Sequence, residues 1–261
     1  MIDQLHYLLA VLGGVFVGFT LGLVGGGGSI LAVPLMVYVV GVRDPHIAIG
    51  TSALAVAANA LAGLWNHARA GNVNWRCGGA YAATGVLGAL AGSTMGKAFD
   101  GQKLLFLFAL LMIVVGVLMY RARGDEGAEG VVCNRDNFPK VASFGFGTGM
   151  LSGFFGIGGG FLIVPGLVAS TSMPIYRAIG TSLVVVSALG LTTALNYAAS
   201  GMLDWPLAGA FIAGGFVGSM LGTGASRRLS AKKGTLNAIF ATMILIVACY
   251  TLYKSWAALS G

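Results

Sequence analysis

Apolar stretches follow one another along this chain with little between them. They cover roughly 5–23, 29–42, 46–68, 76–98 and 103–120, then 141–155, 161–172, 176–199, 205–225 and 234–256. About 20 apolar residues are needed to cross the hydrocarbon of a bilayer as a helix, and most of these stretches approach or exceed that. The exceptions are 29–42 and 161–172. Each follows a cluster of glycines and carries a proline near its start, in GGGGSILAVP (25–34) and GIGGGFLIVP (156–165). Glycine is costly in a helix interior, and an open backbone in lipid costs several kcal/mol for each unpaired group, roughly as for any buried polar group. The pattern therefore predicts long membrane helices and two short half-helices, each preceded by a glycine-rich break.

Composition changes the picture only by fixing the solvent. Of 261 residues, 57% are hydrophobic and 9% charged, against about 25% charged in a soluble domain. The fold class expected is an all-α polytopic membrane protein, embedded in a lipid bilayer. The 43 glycines suit close helix packing there. The net charge of +7 comes from loop Lys and Arg without a basic face, so a nucleic-acid partner is not expected. Met1–Tyr7 lacks Lys and Arg, which argues against a cleaved signal peptide. Cys77, Cys133 and Cys249 show no metal or disulfide spacing and read as ordinary small residues. No cofactor or metal is expected.

The one long polar segment, RARGDEGAEGVVCNRDNFPK at 121–140, divides the chain into halves that match. The two glycine clusters pair at an offset of 131. AIGTS at 48–52 recurs at 178–182, an offset of 130 that also pairs Asn66 with Asn196, Gly71 with Gly201 and Trp75 with Trp205. Gly85, Gly88 and Gly92 pair with Gly215, Gly218 and Gly222 in the same register. This is an internal duplication: a first membrane repeat at 1–120, a linker at 121–140 and a second repeat at 141–261. Each repeat is expected to hold a Gly-broken hairpin or half-helix plus about three full helices, giving 8–10 membrane segments.

Loop charges orient the repeats. With alternating segments, one side holds Arg69, Arg76, Arg121, Arg123, Arg135, Lys140, Arg177, Arg227, Arg228, Lys232 and Lys233; the other holds Arg43, Lys97, Lys103 and Lys254. The positive-inside rule places the first set in the cytoplasm, so both termini lie outside. Each half then crosses an odd number of times, and the repeats are inverted relative to each other. In such architectures, matched interrupted segments point to a substrate site near the midplane.

A half-helix starting at Ser29 or Gly160 aims free N–H groups and a positive dipole end at whatever precedes it. Bare glycines leave those groups uncovered, an anion cradle. The candidate residues are Gly25, Gly26, Gly27, Gly28 and Ser29 in one tip, and Gly156, Gly158, Gly159 and Gly160 in the other. Ser29 is a candidate N-cap or hydroxyl donor. Thr51 and Ser52, with Thr181 and Ser182, are candidate ligand or gate contacts, although such hydroxyls often bond their own helix. Asn59, Asn66 and Asn196 are further candidates, or helix-to-helix pins. Asp3, Asp44, Asp100 and Asp204 sit at segment ends, so no intramembrane carboxylate marks a cation site. An anionic or neutral substrate is favoured. His46 and His67 read as loop-end or interfacial residues. No nucleophile, acid–base pair or metal cluster is visible, so the chain is not read as an enzyme.

The pattern G-x-G-G-G-x-[LI]-x-[VI]-P followed by GTS, present twice, resembles the TauE/SafE sulfite exporter (TSUP) family of anion permeases. The resemblance implies a plasma-membrane secondary carrier for sulfur-containing anions such as sulfite, sulfonates or sulfoacetate. An anion channel on the same repeat, or a carrier of another organic anion, is the alternative. A coupled proton and a homo-oligomer belong to the same expectation. The first copy departs slightly, with Gly26 where the second has Ile157 and Ser29 where it has Gly160, so the two tips are not chemically equal.

Overall fold

In a computed structural model, the chain is described over residues 4–121, 133, 137–156, 160–229 and 235–260. It is helical, with no strand among the described residues. The order is α1 (Gln4–Val24), a 3-10 segment (Gly25–Leu31), α2 (Ala32–Leu35), a π-helical turn (Met36–Val40), α3 (Pro45–Arg69), α4 (Trp75–Lys97) and α5 (Gly101–Arg121). The second half runs α6 (Phe138–Phe155), α7 (Gly160–Thr171), α8 (Ile175–Ala198), α9 (Trp205–Leu229) and α10 (Thr235–Ser260). Among the described residues, five helices are long and apolar enough to cross a membrane: Gln4–Leu23, Pro45–Arg69, Gly101–Leu118, Arg177–Ala198 and Trp205–Gly224.

Local chemistry explains the ends. The Asp44 carboxylate accepts the His46 N–H at 2.8 Å and caps α3. The Asp100 carboxylate accepts from Gln102 and Lys103 at the start of α5. Asn74 caps α4 through the Cys77 N–H, and its repeat counterpart Asp204 accepts the Leu207 N–H as α9 begins. These acids satisfy otherwise orphaned donors, which accounts for their position at segment ends.

The helices pair across the linker. Along α1 and α9, Gly14 faces Gly215, Gly18 faces Gly215, and Gly22 faces Ser219 and Gly222, so the two run parallel. Along α4 and α6, Gly88 faces Phe146 and Met150, Gly92 faces Met150 and Phe154, and Gly96 faces Phe154, again parallel. A Cβ at most of these glycines would overlap the backbone of the other helix. Small residues spaced by four let backbones touch, and in lipid that contact replaces the hydrophobic drive. By contrast α3 and α8, which carry the two AIGTS copies, run antiparallel: Gly50 meets Tyr197 and Met202, Gly190 meets Ala53 and Ala57, and Gly180 meets Asn72. Helices α5 and α10 are also antiparallel, with Phe106 against Trp256 and Gly116 against Leu245. The polar interior and apolar exterior fit lipid as solvent: Thr51, Ser52, Thr181 and Ser182 are buried, while Leu87, Leu195, Leu221 and Trp205 are about 60% exposed.

The cysteines depart from the sequence reading. Cys77, in the first turn of α4, forms a disulfide with Cys133 in the linker, with Cα atoms 5.5 Å apart. The pair is 56 residues apart in sequence, and the spacing carried no sign of it.

Candidate functional site

The first glycine run does not open into a bare loop. Residues 25–31 wind as a 3-10 segment, and the chain then returns along α1: Gly28 lies on Thr20 and Leu21, and Gly41 lies beside His6. The returning hairpin thus reaches back to the level where α1 began. Tight turns keep backbone groups paired where lipid offers no partner. Ser29 is accordingly not an N-cap. The residue preceding α2 is Leu31, which makes no side-chain cap. The Ser29 hydroxyl donates instead to the Gly26 carbonyl at 2.9 Å. Gly27 belongs to the same segment. In the second copy α7 does begin at Gly160, while Gly158 and Gly159 lie outside the described residues.

Each break is seated on the opposite half. Gly25 (φ 71°) and its counterpart Gly156 (φ 67°) are both left-handed, a region that glycine reaches without strain. A Cβ on Gly25 would stand 2.6 Å from Ile179 Cγ2, and one on Gly156 would overlap Ile49. Ile179 and Ile49 are the isoleucines of the two AIGTS copies, so each break packs on the other half's motif. Between these seats the tips touch. A Cβ on Gly26 would lie 2.7 Å from Gly160 Cα, and one on Gly160 would overlap the Gly26 carbonyl. The sequence brought the glycines forward; the structure brings the two tips together.

The hydroxyls divide by task. The Gly26 N–H donates to Ser182 Oγ at 3.3 Å, and that hydroxyl donates to the Ile179 carbonyl at 2.7 Å. Ser52 donates to the Ile49 carbonyl at 3.1 Å. Thr51 Oγ1 accepts the Asp204 N–H at 3.0 Å, and Thr181 Oγ1 accepts the Asn74 N–H at 3.0 Å. The two threonines therefore tie each AIGTS to the helix start of the opposite half, through matched bonds.

The asparagines are not brought together. Asn59 is buried on α3 over Gly215, and neither atom of its amide has a hydrogen-bond partner among the described residues. Asn66 lines a cavity of about 220 Å³ with Met220, Thr223 and Gly224. Asn196 lies at the other end of the α3–α8 pair. Its Oδ1 accepts from Lys97 Nζ at 2.6 Å, and its Nδ2 donates to Ser93 Oγ at 2.5 Å and Thr94 Oγ1 at 3.1 Å. Lys97 entered the sequence reading only as a loop charge. Its repeat counterpart, Arg227, would have flagged the position, since both halves put a cation four residues after a Ser or Thr. His67 lies in the last turn of α3, buried, with Nδ1 close to Gly180. His46 is half-buried and pairs through Nε2 with the Phe99 carbonyl. Arg69 stacks its guanidinium over Trp65 at 4.6 Å.

The family model for sulfite exporter TauE/SafE matches residues 10–251. A probable membrane transporter protein of Xylella fastidiosa (strain 9a5c) is 52% identical over 247 residues, covering 94% of this chain and 95% of that protein. The probable membrane transporter protein YunE of Bacillus subtilis is 25% identical over 96% of this chain and 98% of its own length. A probable membrane transporter protein of Haemophilus influenzae is 28% identical over 92% and 96%. No solved structure matches. Multi-pass helices, paired glycine breaks and the full-length family match agree, and the chain belongs to the sulfite exporter TauE/SafE family of membrane transporters.

Proposed function

We propose that this transporter is a secondary carrier of a small sulfur-containing oxyanion, such as sulfite, a sulfonate or sulfoacetate, working by alternating access across the plasma membrane. Residues 1–120 and 141–261 act as inverted repeats about the linker. The observation that carries the reading is the contact of Gly26 with Gly160 between the swapped AIGTS seats. There the Gly26 N–H donates to the Ser182 hydroxyl. An oxyanion entering between the tips takes that N–H and the hydroxyl as donors, together with the first N–H groups of α7. Helix starts and bare backbone suit an anion, and the charge-poor interior suits no cation. The antiparallel α3–α8 pair, whose members are repeat counterparts, supports inversion and the rocking of one half against the other.

Two signals compete over orientation. Eleven basic residues against four place the linker in the cytoplasm, whereas disulfides persist in oxidising compartments. We follow the charge bias, under which Cys77 and Cys133 are kept reduced in the cell. The direct test of the function is uptake by purified protein in liposomes across sulfite, thiosulfate, sulfoacetate, taurine and carboxylates. Saturable sulfite or sulfonate uptake, accelerated by the same anion inside the vesicle, is expected. Uptake without such acceleration, with large unitary currents, would make the protein a channel.

A further inference from the structure

The two ends of the α3–α8 pair carry related polar residues at matched sequence positions. At one end stand Asn196, Ser93 and Thr94, with Lys97 closing α4. At the matched positions of the other stand Asn66, Thr223 and Gly224, with Arg227 in the sequence position of Lys97. The Asn66 end holds the cavity of about 220 Å³. The Asn196 end is filled by Lys97, whose half-buried ammonium donates to Asn196 Oδ1 at 2.6 Å, the Asn196 carbonyl at 3.1 Å and Ser200 Oγ at 2.8 Å.

All three acceptors are neutral, and among the described residues no carboxylate pairs with Lys97. A cation held half out of water without a counter-ion strongly favours an anion, since hydrogen bonds between charged partners are about twice as strong as neutral ones. The Asn196 amide is held by α4 with its oxygen toward the ammonium, so an arriving oxyanion competes with two carbonyl oxygens and one hydroxyl, not with an ion pair.

We propose that Lys97, with Asn196 and Ser200, is a capture site for a small oxyanion at the α4–α8 mouth. The same ammonium is the latch that closes this mouth when no anion holds it. The inference rests on the anion-carrier reading above.

The test is sulfite uptake kinetics in liposomes, together with the rise in Tm that sulfite gives the detergent-purified protein. Lys97→Gln is expected to raise KM about tenfold, the loss of one charged hydrogen bond, with Vmax kept. Lys97→Arg restores most of the affinity. Asn196→Asp gives the ammonium a fixed counter-ion, so KM rises again while the ligand-free Tm does not fall. The sulfite-induced Tm shift follows the same order. An unchanged KM in Lys97→Gln overturns the site while leaving the carrier reading standing. A Tm loss in Lys97→Gln with normal KM reduces Lys97 to a helix tie. If sulfite shifts the wild-type Tm through Lys97 but is not transported, the site stands and the carrier reading falls. If sulfite is neither bound nor transported, both fall.

Discussion

The two glycine breaks share a long-range seat and differ in local backbone. Gly25 and Gly156 each sit left-handed on the isoleucine of the opposite AIGTS. Beyond that point the first copy winds through a 3-10 segment with Ser29 folded over the Gly26 carbonyl, whereas at the matched positions from Gly160 the second copy is α-helical. The tips consequently meet through glycines that are not repeat counterparts. The mates of Gly26 and Gly160 are Ile157 and Ser29. A side chain at either contact position would run into backbone. Two of the sequence differences between the copies, at Gly26/Ile157 and Ser29/Gly160, therefore place a glycine on each side of the contact.

The largest expected effect comes from breaking a seat. Gly156→Val combines a left-handed backbone with overlap onto Ile49; overpacking alone costs about 1–3 kcal/mol, and the strain adds to it. Loss of transport and a clear fall in Tm are expected in the purified protein. If Gly25→Val is tolerated while Gly156→Val is not, the two seats are not equivalent. Next come the cross-repeat ties. Thr51→Val and Thr181→Val each strand a backbone N–H at a helix start and should destabilise by about 1–3 kcal/mol. Because the bonds match, equal Tm losses are predicted for the two variants, and an effect confined to one would break the symmetry. Smaller effects separate the tip hydroxyls. Ser182→Ala removes the acceptor of the Gly26 N–H and should reduce uptake measurably. Ser29→Ala removes only a bond to a carbonyl and should change uptake less. The reverse ranking in liposome assays would shift the donor role to Ser29.

Orientation is a separate check with no effect on stability. An impermeant maleimide should miss Cys133 in intact cells, even after mild external reduction, and label it after permeabilisation. Labelling of reduced intact cells would put the linker outside and favour the disulfide over the charge bias.

Segment positions were legible because a membrane helix is defined by apolar length, and each predicted stretch lies within a few residues of a helix or helical segment. The matching of the halves was legible as repeated spacing. Their interlocking was not, since Gly14, Gly18 and Gly22 give no sign in sequence of facing α9. The glycine run read as an opening, yet in lipid each N–H needs a partner and the first run coils tightly. In sequence Thr51 and Thr181 read as candidate ligand or gate contacts, and the fold shows their hydroxyls on the opposite half's helix starts. The Cys77–Cys133 pairing depends on where the fold sets Cys133 beside the first turn of α4, which no spacing rule encodes.

The central claim is that the contact between the tips is where the anion is held. Counterflow of labelled sulfite into vesicles preloaded with unlabelled sulfite tests it with Gly160→Ala, one added methyl directed at the Gly26 carbonyl. The wild type should show a transient overshoot, and the variant none; the added methyl must displace backbone at the tips, so a lower Tm is expected, with the variant still monodisperse in detergent at the assay temperature. An overshoot of normal height and half-saturation in Gly160→Ala would contradict the claim.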